Sequence, residues 1–232
     1  MTTNQIAAFF DLDGTLFDGY VWRALQRHHE AHRFKLPTLY AYLLSHIALW
    51  PLKNARLVSE EFFYRAWGKN MAWLVRGVQI ERAQAIWEWV TDHEILPNLR
   101  PEMRNALARH RAEGHRVVLL SGTFQPLLEV VTARLGADGA VGTPLAQRNG
   151  RYLGRIIPPL GVGAGKALRM RQYADGHGID LKAAFVYTDA FTDAPALEMV
   201  GHPVAVYPDA RLAALAVERG WPVIGTVTKE RE

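Results

Sequence analysis

Four short apolar runs, rich in β-branched or aromatic residues, stand out along the chain. They are residues 6–10, 116–120, 183–187 and 203–207, and polar or turn residues bound each of them. Apolar runs without a polar alternation are typical of strands that are buried on both faces of a parallel sheet. The pattern therefore predicts four parallel strands.

Helical patterns lie between the later runs, and they cover residues 99–112, 124–135, 164–174, 193–200 and 209–218. Such an alternation predicts βαβ units and an α/β fold, in which a Rossmann-like parallel sheet carries helices on both faces. The stretch NGRYLGRI, residues 149–156, predicts a short hairpin in the middle of this region.

Residues 18–96 have a different texture, because they contain no convincing strand and six of the seven tryptophans. They predict several helices, with the tryptophans mainly in the core of the bundle. We therefore expect an all-helical domain, residues 18–96, inserted after the first strand. Residues 1–17 and 97–232 would form the α/β core.

Composition narrows the class of protein. The chain has 232 residues, 49% hydrophobic and 22% charged, so it can bury a sizeable core. The net charge of +4 is scattered, without a run of five or six basic residues, and no nucleic-acid partner is expected. The chain has no cysteine, and its first residues do not resemble a signal peptide, so a cytoplasmic protein is expected.

The longest apolar segment, residues 38–50, lies between Pro37 and Pro51. It is shorter than the roughly 20 residues that cross a bilayer, so no membrane anchor is expected. A buried helix or a homodimer contact is the better interpretation. Binding of the aromatic-rich insert to a membrane surface is a weaker alternative.

Polar residues collect where the predicted strands end. The first strand runs into Asp11 and Asp13, and the second ends at Ser121 and Gly122 in LLSGT. The third ends in TDAFTD, which contains Asp189 and Asp193, and a lone Lys166 follows the glycine-rich GVGAG. Because ligands of such sheets bind at the carboxyl ends of the strands, we expect these side chains to meet.

Their chemistry is that of phosphoryl transfer. Carboxylates can lie close together when a divalent cation binds among them, and hard oxygen ligands suit Mg²⁺. One carboxylate can attack phosphorus, and a second can donate and accept the proton. An ammonium, a hydroxyl and backbone N–H groups can stabilise the phosphoryl oxygens.

Four short features of the chain resemble, in their order, the four motifs of the haloacid dehalogenase-like (HAD) superfamily. They are DLDGT, the serine of LLSGT, Lys166 and TDAFTD. Most members are Mg²⁺-dependent phosphohydrolases. The helical insert resembles the C1 cap of the phosphoserine-phosphatase-like branch, subfamily IB. The resemblance implies a HAD-like core, a Mg²⁺ cofactor and a small phosphate ester as substrate.

The resemblance also implies roles for the two N-terminal acids and the lysine. Asp11 would be the nucleophile and a metal ligand. Asp13 would be the general acid and base, with its backbone carbonyl on the metal. Because HAD dehalogenases lack an acid at the position of Asp13, halide chemistry is not expected. Lys166 would neutralise the nucleophile and the phosphate.

The remaining motif residues would bind phosphate and metal. Ser121 and the amide of Gly122 would hold the phosphoryl oxygens. Asp189 would be the other metal carboxylate, and Asp193 would orient a metal-bound water or Lys166. Taken alone, Ser121 or Asp193 could equally be a helix cap.

The substrate stays open at this stage. Phosphoserine phosphatases carry an acid soon after the first motif, and the matching residue here is Tyr20, with Asp18 nearby. Histidinol phosphate, phosphotransfer to an alcohol and a non-catalytic binding role are the alternatives. Four basic residues of the insert could contact a substrate anion, although each is expected to be exposed: Arg56, Arg65, Lys69 and Arg76.

Two further motifs are set aside. GVGAGKA is not a phosphate-binding P-loop, because Leu160 and Ala167 occupy positions that need glycine and Ser or Thr. The histidines show no HExxH pattern, so no zinc site is predicted. His28, His29 and His32 are expected on a solvated helix face.

Overall fold

A computed structural model describes residues 5–47, 50–51, 55, 57 and 60–227. The strands in these ranges are β1 (Ala7–Phe10), β2 (Arg116–Phe124), β3 (Gly139–Thr143), β4 (Leu145–Arg148), β5 (Arg151–Ile156), β6 (Phe185–Thr188), β7 (His202–Val206) and β8 (Val223–Ile224). Six of them form a parallel sheet in the order β3-β2-β1-β6-β7-β8, and β4 and β5 form a separate antiparallel hairpin.

The α-helices are α1 (Val21–Ala31), α2 (Leu36–Ile47), α3 (Glu60–Asn70), α4 (Ile80–Val90), α5 (Pro101–Ala112), α6 (Gln125–Leu135), α7 (Ala164–His177), α8 (Ala194–Leu197) and α9 (Ala210–Arg219). Short 3₁₀ turns cover Met71–Val75, Leu96–Asn98 and Phe191–Asp193, and a π turn covers Thr91–Ile95. Helices α1 to α4 lie in the chain between β1 and β2, as the sequence predicted.

The order of the strands determines where a ligand can bind. Counted along the chain, the six strands of the sheet lie in the order 3-2-1-4-5-6, and the order reverses between β1 and β6. Phe10 pairs with Leu119 on one side and with Tyr187 on the other. In an open α/β sheet, ligands bind at the carboxyl ends of the strands beside this reversal. Asp11 directly follows β1 and Asp189 directly follows β6.

Strand β1 is buried on both faces, as expected for its apolar sequence. All four of its residues are fully buried. Phe10 belongs to the larger core, which extends into the helical insert, and Phe9 belongs to the core on the opposite face with Met170 of α7. Burial of both rings contributes on the order of 2 kcal/mol each to stability, and it fixes the position at which Asp11 leaves the sheet.

The helical insert packs around aromatic residues. Trp87 is fully buried, and Trp22 and Trp67 contact each other with ring centroids 4.9 Å apart. Trp50 and Trp73 are exposed, so the tryptophans lie only partly in the core.

The predicted hairpin, now β4–β5, contacts the insert through backbone hydrogen bonds. Gly77 N donates to Tyr152 O at 2.7 Å, and Tyr152 N donates to Val78 O at 3.0 Å.

Most strand and helix predictions are confirmed, with three differences. Strands β3 and β8 were not predicted, because β3 contains two glycines and β8 has only two residues. The predicted helix 193–200 is a 3₁₀ turn followed by the four-residue α8. Asp193 precedes α8, but its side chain makes no capping hydrogen bond there.

The prediction of a solvated histidine face on α1 was wrong for two residues. His28 and His29 are buried, and only His32 is exposed. The ring of His28 contacts Trp89 of α4 and Phe34, and His29 hydrogen-bonds through Nε2 to the carbonyl of Leu74. Helix α1 therefore has neighbours on two sides.

Helix α2 is buried on one face only. Leu39, Tyr42 and His46 point inward, whereas Tyr40, Leu44 and Ile47 are exposed. Among the described residues, no helix has the length and apolar character needed to cross a membrane.

Candidate active site

Asp11 lies at the end of β1 and is held from both sides. Its backbone N donates to Tyr187 O at 2.9 Å, which anchors it to β6. Its Oδ1 accepts from Leu12 N at 2.8 Å and lies 3.1 Å from Lys166 Nζ. Thr188 Oγ1 lies 3.5 Å from the other oxygen, Oδ2. Both oxygens therefore have neighbours, and Oδ1 has the closer ones.

Asp13 joins the sheet to the helical insert. Its Oδ1 accepts from Val21 N at 3.0 Å, so the carboxylate satisfies a free N–H group at the start of α1. The chain between Asp13 and Val21 turns tightly, since Gly14 N donates to Phe17 O and Phe17 N donates to Leu12 O. This turn brings Val21 N back to the Asp13 carboxylate.

Burial and charge raise the pKa values of these two acids. Burial raises the pKa of Asp13 to about 8, and the nearby charges of Asp11 and Asp189 add to that effect. Asp13 is therefore predominantly protonated at neutral pH, which is the state that a general acid requires. Burial also raises the pKa of Asp11, and the Lys166 ammonium opposes this effect.

Lys166 bridges two acids from different segments. Its Nζ donates to Asp193 Oδ2 at 2.5 Å and lies 3.1 Å from Asp11. All three side chains are buried. Burial alone would lower the pKa of Lys166, but Asp11 and Asp193 outweigh burial and hold the pKa above its ordinary value. The lysine thus stays charged beside the candidate nucleophile.

The glycine-rich loop before α7 positions this lysine. Gly163 has φ +59° at the residue before the helix, a region that favours glycine, and its N–H lies 3.4 Å from Asp193 Oδ1. Gly161 lies against Ser121, because a Cβ there would be 2.9 Å from the Ser121 carbonyl oxygen. The loop thus approaches the LLSGT segment as closely as the backbone permits.

Ser121 and Gly122 face this loop from β2. The strand runs to Phe124, whereas the prediction ended it at residue 120. Ser121 Oγ accepts from Thr123 N at 3.2 Å. The carbonyl of Gly122 accepts from Thr143 Oγ1 at 2.8 Å, and the same hydroxyl accepts from Gly161 N at 3.0 Å. Ser121 is therefore not a helix cap, since α6 begins at Gln125.

The two remaining acids follow β6. Asp189 is buried, and its Oδ1 accepts from Thr15 Oγ1 at 3.3 Å. Asp193 accepts from Thr188 Oγ1 at 2.9 Å in addition to Lys166. These contacts join Asp11, Lys166 and Asp193 directly, Asp189 to the first motif through Thr15, and the Ser121–Gly122 segment to the loop before Lys166.

Two hydroxyls in this network were not assigned roles from the sequence: Thr15 and Thr188. Both lie within the quoted motifs DLDGT and TDAFTD, so their positions were visible but their partners were not.

The donor set fits a hard divalent cation. Besides the protonated Asp13, the acids Asp11, Asp189 and Asp193 lie around a single ammonium, that of Lys166, and a dication would balance the excess of negative charge. The resemblance implies that Asp13 would use its backbone carbonyl, and this is compatible with the hydrogen bond that its Oδ1 accepts from Val21 N. Asp11, Asp189 and that carbonyl would leave positions for water and substrate, as Mg²⁺ prefers.

A cavity of about 350 Å³ lies where the insert meets the sheet. Tyr20, Arg23 and Arg27 of the insert line it together with Arg100, which pairs with Asp18 at 2.7 Å. Arg65, Lys69 and Arg76 are exposed, and Arg56 lies outside the described residues.

The sequence was then compared with known families. Residues 8–198 match the model of the haloacid dehalogenase-like hydrolases. The chain belongs to this family. The expectations of an α/β HAD fold with a helical cap and of a hydrolase are thereby confirmed.

Relatives in this hydrolase family include enzymes with named substrates. The chain is 33% identical over 223 residues to phosphoserine phosphatase SerB1 of Mycobacterium tuberculosis, covering 94% of this chain and 70% of the relative. It is 31% identical over 159 residues to a histidinol-phosphatase of Neisseria meningitidis serogroup C, covering 67% of this chain and 71% of the relative.

Solved structures share the fold of this HAD hydrolase. A Bordetella pertussis Tohama I protein of unknown function superimposes with a TM-score of 0.81 at 24% identity, covering 96% of this chain and 99% of that chain. A phospho-aspartyl intermediate analogue of phosphoserine phosphatase superimposes with a TM-score of 0.61 at 14% identity, covering 98% and 95%.

Proposed function

We propose that this HAD hydrolase is a Mg²⁺-dependent phosphatase that acts on a small phosphorylated metabolite through an aspartyl-phosphate. One observation carries the proposal. Asp11 lies 3.1 Å from a buried Lys166 and next to Asp13, whose raised pKa keeps its proton. This arrangement supplies a nucleophile, a positive charge and an acid at the carboxyl end of one strand.

The first half-reaction uses Asp11 and Asp13. Asp11 Oδ1 is held by Leu12 N and Lys166 at 2.8 and 3.1 Å, whereas the Thr188 hydroxyl lies 3.5 Å from Oδ2, so we assign the attack on phosphorus to Oδ2. A bond from Oδ2 to phosphorus forms while the bond from phosphorus to the ester oxygen breaks. Asp13 gives its proton to that leaving oxygen, which departs as an alcohol.

The second half-reaction restores both acids. The ionised Asp13 removes a proton from a water molecule, whose oxygen attacks phosphorus. The bond from phosphorus to Asp11 breaks, and inorganic phosphate leaves. When bound, Mg²⁺ would neutralise charge on the phosphoryl oxygens. Ser121, the Gly122 amide and Lys166 would hold those oxygens, and Asp193 would hold the lysine in place.

We propose a small amino-acid-like or related phosphate ester as the substrate, because relatives are named phosphoserine phosphatase and histidinol-phosphatase. The cavity that Gly14 and Tyr20 line next to the first motif would accept the leaving group, with Tyr20 where phosphoserine phosphatases carry an acid. We also propose the division into a core, 1–17 and 97–232, and a cap, 18–96, and a cytoplasmic location. Phosphotransfer to an alcohol would use the same half-reaction.

The test is turnover of a generic aryl phosphate. Asp11→Asn should abolish phosphate release, and EDTA should abolish it reversibly, with recovery on addition of Mg²⁺. Asp175→Asn, an exposed acid on α7, is the matched control and should leave the rate unchanged. An active Asp11→Asn variant would exclude the nucleophile assignment. An inactive wild type across a panel of phosphorylated metabolites would favour the non-catalytic binding role.

A further inference from the structure

The described residues contain one other cluster of metal-ligating side chains, away from the candidate active site. The ligand atoms of His110, Glu113 and His115 all lie within 4.8 Å of one another. The cluster lies at the end of α5 and the start of β2, near the amino ends of the strands, whereas the candidate active site follows their carboxyl ends.

Helix capping brings the two histidines together. Glu113 is the C-cap residue that follows α5, and Gly114 takes a left-handed conformation with φ +74°. His115 N donates back to His110 O at 2.9 Å, and Gly114 N donates to Arg111 O at 3.1 Å. This pattern is a Schellman-type cap, which reverses the chain and folds the His115 ring over the last helical turn.

The three distances are those of a ligand set. His110 Nδ1 lies 2.8 Å from His115 Nδ1, and Glu113 Oε2 lies 3.8 Å from the first ring nitrogen and 3.4 Å from the second. Tetrahedral zinc with bonds of about 2.1 Å separates its ligand atoms by roughly 3.4 Å. The two contacts to Glu113 are near that value, and the contact between the histidines would widen by about 0.6 Å.

The surroundings prepare His110 as a ligand. His110 is buried, and its other nitrogen, Nε2, lies 2.8 Å from the hydroxyl of Tyr187. A metal-binding histidine commonly uses its second ring nitrogen in such a hydrogen bond, which fixes the tautomer.

Nearby arginines do not occupy the cluster. Arg109 is directed to the Tyr187 hydroxyl at 3.4 Å, and Arg111 donates to Leu135 O. Arg116 donates to the Tyr173 hydroxyl at 3.1 Å. A cavity of about 240 Å³ is lined by His115 together with Arg111, Arg116 and Asp138, and Glu113 is 46% exposed, so solvent reaches the edge of the cluster.

We propose that His110 Nδ1, His115 Nδ1 and Glu113 Oε2 form a second metal site, which binds a transition-metal dication such as Zn²⁺. Two nitrogens and one carboxylate oxygen favour Zn²⁺ or a similar ion over Mg²⁺, which prefers oxygen ligands. Binding through Nδ1 needs the tautomer of each ring that carries its proton on Nε2, as the contact of His110 Nε2 with the Tyr187 hydroxyl favours for His110.

The test is titration of metal-free protein, without a histidine tag, with Co²⁺ as a spectroscopic probe and then with Zn²⁺, in saturating Mg²⁺. Wild type should bind one equivalent of Co²⁺ and show a visible absorption band, which added Zn²⁺ should abolish. Its melting temperature should rise with Zn²⁺ concentration. Glu113→Gln changes an exposed residue and should weaken binding at least tenfold, and His115→Gln should weaken it further. Tyr187→Phe should weaken it roughly 10- to 100-fold.

His177→Gln, an exposed histidine on α7, and Asp11→Asn, in the candidate active site, are the controls that should bind as wild type does. No stoichiometric binding to wild type would overturn the proposal. Equal binding to Glu113→Gln, or loss of binding in Asp11→Asn, would also overturn it.

Discussion

Lys166 Nζ donates to Asp193 Oδ2 at 2.5 Å, and this contact holds the ammonium 3.1 Å from the candidate nucleophile. Asp193→Asn should reduce turnover, because the lysine loses its charged anchor. It should also lower the free energy of unfolding by about 3 kcal/mol, since removing one partner leaves the other buried charge poorly compensated. Steady-state kinetics and urea denaturation would measure both effects.

The control for Asp193 is an exposed ion pair. Asp92 accepts two hydrogen bonds from Arg134, and both side chains are substantially exposed. Asp92→Asn should cost less than about 1 kcal/mol and leave turnover unchanged. Equal losses in the two variants would contradict the positioning role of Asp193.

Asp13→Asn should separate acid catalysis from folding. The asparagine oxygen can still accept from Val21 N, so the start of α1 keeps its partner, but the side chain cannot donate a proton as the acid does. Turnover should fall by about 10²- to 10⁴-fold while the melting temperature changes little. Asp13→Ala should lose activity and also about 1 kcal/mol of stability, because it removes the cap. Substantial activity in Asp13→Asn would contradict the assignment of the general acid.

Gly161→Ala should lower activity, because the added methyl group would come too close to the backbone of Ser121. Its Cβ would lie 2.9 Å from the carbonyl oxygen of Ser121, so the loop that leads to Lys166 must move away. We expect kcat/KM to fall roughly 10- to 100-fold, because small displacements of catalytic groups are costly.

Gly176→Ala is the matched control for the loop, since nothing lies within 4 Å of a Cβ at that helical position. It should raise the free energy of unfolding by about 0.5–1 kcal/mol with unchanged kinetics. Wild-type kinetics in Gly161→Ala would show that the loop tolerates the displacement.

The buried His28 should make the insert sensitive to acid. Burial, with the charges of His29 and His32, lowers the pKa of His28 from 6.5 to about 4. Above pH 6.5 the residue is neutral in the folded and unfolded states. Between pH 6.5 and 4 the unfolded state binds a proton that the folded state does not, so stability falls as pH decreases, by about 2 kcal/mol between pH 7 and 5.

His28→Phe would test this effect by urea denaturation at pH 7 and pH 5. The variant keeps a ring against Trp89 and should lose the part of the pH dependence that His28 contributes, while His29 and His110, whose pKa values are also lowered, keep their contributions. His177→Gln should retain the full dependence. An unchanged slope in His28→Phe would show that His28 is not responsible.

Much of the site could be predicted, because its residues follow buried strands and keep a fixed order along the chain. Asp11 and Asp189 illustrate this, since strand polarity alone places both at the same edge of the sheet. The partner of Thr188 was harder to predict. Its hydroxyl lies 3.5 Å from Asp11 Oδ2 and 2.9 Å from Asp193 Oδ2, and this difference depends on the packing of separate segments of the chain.

Helix periodicity failed for His28 and His29 for a related reason. Adjacent residues on a helix are about 100° apart, so both are buried only when two different surfaces cover the helix. Those surfaces come from α4 and from the turn Met71–Val75, which lie more than 40 residues away in sequence. The same holds for the hairpin β4–β5, whose contact with the insert is made by distant backbone groups.

The central place of β1 also has a consequence for biosynthesis. Its partners, β2 and β6, follow it by more than 100 and more than 170 residues. At a translation rate of 5 to 20 residues per second, the apolar segment Ala7–Phe10 leaves the ribosome roughly 5 to 20 s before its first partner exists. The helical insert is synthesised during that interval, so it is the first large part of the chain able to cover this segment before the sheet forms around it.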